Sequence, residues 1–217
     1  MKKVIAALFD LDGVVVDTET QYSRIWDELG KKYLAAPVEN FSIRIKGTSL
    51  KQILDRYFNP QDHAAIVAEL DAQEDLLQFD FIPGVIQFVE ELRNADVKVA
   101  IVTSSNQKKM SHLYKQHYGL KPMFDAIITA DDITKSKPDP ECYLLAAQRL
   151  GVAPEDCFVF EDSLAGLEAG RAANMHVVAL ATTYKASQLA GKADQIIDNF
   201  QVFGHKQMMN LYRTLSK

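Results

Sequence analysis

Cysteine is scarce in this chain, with only Cys142 and Cys157 among 217 residues. The pair forms neither a disulfide framework nor a metal-spacing motif, so buried free thiols are expected. Long apolar runs are missing as well. None approaches the ~20 residues that span a membrane. The six apolar residues after Lys3 stop at Asp10, too few for a secretory leader. A cytoplasmic protein with no membrane partner is the expectation. Basic clusters are absent in a chain of net charge −5. Lys2-Lys3, Lys31-Lys32 and Lys108-Lys109 are short pairs, read as solvated faces, and no nucleic-acid partner is expected. No Gly-x-Gly-x-x-Gly follows the first apolar run, which removes the usual dinucleotide fingerprint. Internal repeats and low-complexity segments are also lacking.

What is present is alternation. Val4 to Phe9 reads as a strand buried on both faces. Further strands are expected at 97–102, 126–129, 157–160, 177–180 and 195–197. Helical periodicity falls between them, over 107–118 (closed by Gly119), from Tyr143 to Leu150 (closed by Gly151) and over 164–173. This pattern predicts an α/β fold, a three-layer Rossmann-like, mostly parallel sheet covered by helices on both faces. One block departs from it. From Thr18 to about Asp80 the reading is all helical. Asp17 or Thr18 caps a helix bearing Tyr22, Ile25, Trp26, Leu29 and Tyr33 that runs to about Leu34, with Pro37 as its stop. Residues 43–48 form a loop, Thr48 or Ser49 caps a second helix, and a third carries Ala64 to Leu77. Such a block is too long for a simple crossover. It is expected to be a helical cap domain, 18–80, inserted in a core of 1–17 and 81–217, with 13–18 and 80–84 as linkers.

The strands end in polar residues. Phe9 gives way to Asp10-Leu11-Asp12-Gly13. Taken alone, this is a surface Asp-Gly turn, or a pair of carboxylates that share a metal or divide into nucleophile and acid. Val102 gives way to Thr103-Ser104-Ser105-Asn106, and Phe160, at the end of the fourth strand, to Glu161-Asp162-Ser163. Lys137 lies in the loop after the third strand. Carboxyl ends of parallel strands share one edge, where such sheets bind ligands. Carboxylates, hydroxyls and a lysine together suit an anionic substrate held by Mg²⁺, which takes hard oxygen ligands.

Phe9-Asp10-Leu11-Asp12-Gly13-Val14, Val102-Thr103-Ser104, Ser136-Lys137-Pro138-Asp139-Pro140 and Phe160-Glu161-Asp162-Ser163 resemble, in order, the four motifs of the haloacid dehalogenase superfamily. The position of the helical block resembles the helical-cap subfamily that includes β-phosphoglucomutase and many small phosphatases. The resemblance implies Asp10 as the nucleophile that forms an aspartyl-phosphate. It implies Asp12 as general acid and then base, its backbone carbonyl also meeting Mg²⁺. Asp162 completes the metal ligation, with Glu161 a direct or outer ligand. Thr103 and the Ser104 N–H hold the phosphoryl group, and Lys137 offsets charge and orients Asp10.

The substrate depends on the cap. In the mutase, the first cap helix carries a histidine, a cap-loop arginine meets the distal phosphate of a bisphosphate, and a core lysine grips that second phosphate. Tyr22, Leu50 and Asn106 are the nearest positions here. Tyr22, Asn106, Lys46 and Gly47 are therefore candidate substrate contacts, with Arg44 beside them. The expected activity is Mg²⁺-dependent hydrolysis of a small phosphorylated metabolite, a sugar or polyol phosphate, by a monomer. The alternatives are a β-phosphoglucomutase-type isomerase, a pyrophosphatase or phosphonate hydrolase, and a binding protein on an inactive scaffold.

Overall fold

The run Ala6-Ala7-Leu8-Phe9 becomes the centre of a sheet. In the computed structural model, which describes residues 3–45, 48–74 and 76–215, the strands are β1 (Ala6–Phe9), β2 (Lys98–Val102), β3 (Ala126–Ile128), β4 (Cys157–Glu161), β5 (His176–Leu180) and β6 (Gln195–Ile197). The helices are α1 (Glu19–Tyr33), α2 (Phe41–Arg44), α3 (Leu50–Tyr57), α4 (His63–Glu74), α5 (Val85–Asn94), α6 (Gln107–Gln116), α7 (Glu141–Leu150), α8 (Leu164–Ala172), α9 (Ala186–Leu189) and α10 (His205–Leu215).

All strand pairs are parallel, in the order β3-β2-β1-β4-β5-β6. Phe9 is in register with both Ile101 and Phe160. The three central strands therefore end in step, and the residues that follow them meet at one edge. The chain first winds outward through β2 and β3, then returns to β4 on the other side of β1. Such a reversal opens a crevice at the carboxyl edge, the usual ligand site of this sheet type.

Side chains alternate across the sheet, as a strand period of two requires. Phe9, Ile101, Phe158, Phe160 and Val178 enter one core with Phe88 of α5 and Met208 of α10. Leu8, Val102, Val159 and Val177 enter the other with Tyr143 of α7 and Leu167 of α8. Phe9 stacks on Phe160 at 4.8 Å between ring centres. Burying each such ring is worth roughly 1.5–3 kcal/mol.

Helices α1 to α4 bury Trp26, Phe41, Phe58, Ile66 and Leu70. Trp26 and Phe41 both contact Phe58, at 6.5 and 5.6 Å between centres. The two chain segments that join this block to the sheet lie side by side. Asp17 N donates to Asp80 O at 2.7 Å and Ile82 N to Val15 O at 3.0 Å. No helix among the described residues is long and apolar enough to cross a membrane.

Several local expectations are corrected. The first strand begins at Ala6, and Val4 is exposed. α1 ends at Tyr33 with Leu34 as its C-cap, as expected. The expected loop over 43–48 begins inside α2. α4 stops at Glu74, so Leu77 packs from the returning segment rather than from the helix. Gly151 closes α7 in the left-handed region as expected, but α6 ends at Gln116 with His117 as its C-cap, before Gly119. There His117 Nε2 meets Phe79 O at 2.7 Å and Gln116 Nε2 donates to Leu77 O at 2.7 Å, so tertiary bonds end the helix. Ser49 caps α3 as expected, accepting from Gln52 N. Cys142 and Cys157 are buried free thiols.

Candidate active site

The edge of the sheet supplies the site's first layer. Asp10 leaves β1 with its N–H still paired to Phe160 O at 3.0 Å. The turn that follows is tight, since Val15 N and Val16 N both donate to Leu11 O. Gly13 carries it at φ 77° and touches Asp162; a Cβ there would lie 2.3 Å from Asp162 Oδ2. Only glycine combines that backbone angle with that approach.

Lys137 is the hub behind Asp10. Its ammonium donates to Asp10 Oδ1 at 2.7 Å, Glu161 Oε1 at 2.7 Å and Val102 O at 3.2 Å. Those contacts use all the donors an ammonium has. Burial works against its charge, but Asp10 and Glu161 outweigh it and hold Lys137 protonated well above the usual lysine range. Burial pushes the Asp10 carboxyl up to about 7 against the pull of Lys137, with Glu161 adding to the rise.

Glu161 is fully buried. Lys137 and Tyr143 donate to one oxygen, and Asp162 N, Ser163 N and Ser163 Oγ to the other. Gly166 packs against this carboxylate so closely that a Cβ would fall 1.7 Å from Oε1. Asp162 faces the crevice beside Gly13 and accepts from the Thr183 hydroxyl.

Asp12 has a separate set of partners. Lys109 Nζ and Ser105 Oγ donate to its Oδ2 at 2.6 and 3.1 Å, and the Thr18 hydroxyl donates to Oδ1. Burial opposes ionisation, yet Lys109 and these hydrogen bonds prevail and hold the carboxyl below its ordinary range. The two aspartates thus have different lysines: Lys137 favours ionisation of Asp10 against its burial, and Lys109 favours ionisation of Asp12.

A metal fits this donor set. Asp10, Glu161 and Asp162 each offer a carboxylate oxygen, all within 4.8 Å of one another. Four carboxylates, Asp10, Asp12, Glu161 and Asp162, meet two ammonium groups, Lys109 and Lys137, which leaves two negative charges when all are ionised. Hard oxygens in surplus of charge suit a divalent cation such as Mg²⁺.

Above this edge is a cavity of about 540 Å³ between the sheet and the helical block. Asp10, Asp12, Thr103, Ser104, Asn106 and Asp162 line its sheet side. Thr103 is buried, and its hydroxyl accepts from Ser105 N at 3.0 Å. Lys137 and Glu161 stand behind the wall. The Asn106 side chain caps α6, accepting from Lys109 N at 3.0 Å, so its oxygen serves the helix. Tyr22 lines the helical side, with its hydroxyl on Glu74 at 2.7 Å. Lys46 and Gly47 lie outside the described residues.

Residues 7–180 match the family model of the haloacid dehalogenase-like hydrolases. This chain belongs to that family. Among curated relatives, the hydrolase is 34% identical over 178 residues to hexitol phosphatase A of Escherichia coli, covering 80% of this chain and 81% of that one. It is 31% identical over 177 residues to a phosphorylated carbohydrates phosphatase of Thermotoga maritima, covering 78% and 82%. It is also 30% identical over 207 residues to a bifunctional riboflavin kinase/FMN phosphatase of Arabidopsis thaliana; that match covers 88% of this chain but about half, 52%, of the plant protein. Among solved structures, β-phosphoglucomutase of Clostridium difficile superposes with a TM-score of 0.83 at 25% identity, over 98% of this chain and 99% of that one.

Sequence reasoning about this hydrolase missed three residues. Lys109 was expected on a solvated face, yet it is buried on Asp12. Lys108, its neighbour, does pair at the surface, with Asp71. Ser105 is a donor to Asp12, beyond the expected Thr103 and Ser104. Thr18 was expected to cap α1, but makes no side-chain cap bond because its hydroxyl turns to Asp12.

Proposed function

We propose that this hydrolase is a Mg²⁺-dependent phosphatase of small phosphate monoesters, with sugar or polyol phosphates as its substrate class. The observation that carries the reading is the split between the two aspartates. Asp10 shares Lys137 with Glu161 beside Asp162, while Asp12 stands at the cavity wall on its own lysine. One carboxylate is placed to attack and the other to exchange a proton.

Asp10 attacks phosphorus, and the bond to the leaving oxygen breaks as an aspartyl-phosphate forms. Asp12 protonates that oxygen, then takes a proton from the water that releases phosphate. Thr103 and the Ser104 N–H hold the phosphoryl oxygens. Lys137 orients Asp10 and offsets charge, and Glu161 holds Lys137 in place. Asp10, Asp162 and the Asp12 carbonyl would hold Mg²⁺, which when bound offsets the repulsion between a carboxylate and a phosphate dianion. Residues 1–17 and 81–217 act as the catalytic core, and 18–80 as a cap over it.

Among the described residues, the lysines of the cavity are Lys51 and Lys109, and Lys109 is taken by Asp12. That scarcity favours a single phosphate with a neutral leaving group over a bisphosphate. The names of the curated relatives support the same class. The structural likeness to a β-phosphoglucomutase favours, as a second reading, phosphate transfer within a sugar. We place the enzyme in the cytoplasm as a monomer.

A phosphate-release screen tests the reading. It spans sugar and polyol phosphates, nucleotides, pyrophosphate and phosphonates. Release from hexose or hexitol monophosphates is expected. Conversion of β-glucose 1-phosphate to glucose 6-phosphate without free phosphate would instead support the mutase.

A further inference from the structure

We propose that Lys109 is a positioning residue for Asp12, and that Tyr22 and Glu74 seat it from the helical block. The proposal rests on the reading of Asp12 as the acid/base.

An acid/base group must sit within hydrogen-bond reach of the oxygen it serves. Asp12 projects from a tight turn, and three donors from three segments fix its carboxylate: Thr18, Ser105 and Lys109. The two hydroxyls can rotate to other acceptors. Lys109 is different, because it is charged and only 5% exposed. A buried ammonium has little water to turn to, so breaking its contact with Asp12 would leave two poorly compensated charges.

The backbone end of Lys109 is fixed as well. Its N–H is the donor that the Asn106 side chain accepts at the start of α6. The other end is covered from across the cavity. The ammonium lies 4.0 Å from the centre of the Tyr22 ring, a cation–π distance. Tyr22 is in turn held by its hydroxyl on Glu74, which is 7% exposed. Lys109 thus stands between an acid of the sheet edge and an acid of α4. Removing the helical block would take away both the ring and Glu74 and admit water to the ammonium. The hold on Asp12 is therefore tied to the seating of the block. No other step of the proposed reaction uses Lys109.

The test is kinetic, on the Mg²⁺-loaded full chain. Lys109→Met keeps most of the stem and removes the charge. For a polyol phosphate its kcat should fall about tenfold to 100-fold, with KM within about threefold. Lys109→Arg should recover part of the loss. The nitrophenolate burst from p-nitrophenyl phosphate, whose leaving group needs little protonation, should be less affected. The decisive arm is Asp12→Asn with and without Lys109→Met. If Lys109 acts through Asp12, the second change should cost less than about twofold in the Asp12→Asn background. Losses that multiply, a loss carried by KM alone, or an unimpaired Lys109→Met enzyme would overturn the assignment. Fully active Asp12→Asn would sink the acid/base reading and this proposal together. Slow Asp12→Asn with multiplied losses would sink only the role of Lys109. Should Lys109→Met fail to fold, Tyr22→Leu serves in its place. Its kcat should fall about threefold to tenfold, and that loss should vanish in Asp12→Asn; a loss in KM alone, or one that persists there, would contradict the proposal.

Discussion

On the sheet side of the cavity, Asp10, Asp12 and Lys137 are each held by charged partners at 2.6 to 2.7 Å. On the helical side the wall is made of Trp26, Ile53, Leu54 and Leu70, with Tyr22 and Glu74 among them. The first wall is preorganised: its side chains are oriented before substrate arrives, which is how electrostatic stabilisation avoids reorganisation cost. The second sets apolar surface from Trp26, Ile53, Leu54 and Leu70 beside polar groups such as Ser23, Lys51, Asp55 and His63. On the proposed function, chemistry is assigned to the sheet edge and discrimination among leaving groups to the helices. Changes to the first wall should act on kcat, and changes to the second on KM, except at Tyr22 and Glu74, which reach Asp12 through Lys109.

The largest effect is expected at Asp10. Asp10→Asn should lower turnover of any phosphate ester more than about ten-thousand-fold, as loss of a nucleophile does; steady-state phosphate release measures it, and substantial residual activity would break the comparison at its root. Removal of metal comes next. A chelator should silence the enzyme and Mg²⁺ should restore it, whereas activity that survives chelation would count against the metal site. Asp12→Ala should cost about 100-fold to ten-thousand-fold with a polyol phosphate and clearly less in the nitrophenolate burst. Equal losses for both substrates would remove its acid role.

A structural variant sharpens the account of the preorganised wall. Gly166→Ala forces a methyl into the fully buried Glu161 carboxylate. It should destabilise the fold by roughly 1–3 kcal/mol in urea unfolding, as overpacking does, and should also lower kcat by disturbing Lys137. The smallest effect is expected on the helical wall. Leu50→Ala should shift KM for sugar phosphates about threefold to tenfold through lost apolar contact, with kcat little changed. A fall in kcat with constant KM would blur the division between the walls.

The same division governs what could be read from the residues alone. Asp10, Thr103 and the Glu161-Asp162 pair each follow an apolar run directly, so a parallel sheet brings them to one edge once its strands are recognised. Lys137 is harder, because it comes from a loop after β3, but its motif marks it. Lys109 left no comparable trace. Adjacent helical positions point about 100° apart, so Lys108 reaches Asp71 while Lys109 turns inward to Asp12. Its place three residues beyond the capping Asn106 was the only local sign. Thr18 shows the converse difficulty. A threonine before a helix suits a cap, and only the fold reveals that a carboxylate has claimed its hydroxyl. The helical side resists reading because its contacts are tertiary. Tyr22 on α1 meets Glu74 on α4, and neither position announces the other.

The most direct test is to trap the intermediate on Asp10. Enzyme quenched during turnover with a good substrate is treated with borohydride, which reduces an acyl phosphate, and residue 10 is then read by peptide mass spectrometry. Homoserine at position 10, formed only with substrate and Mg²⁺, is the predicted result. An unmodified Asp10 under conditions where phosphate is being released, or reduction at another carboxylate, would contradict the account.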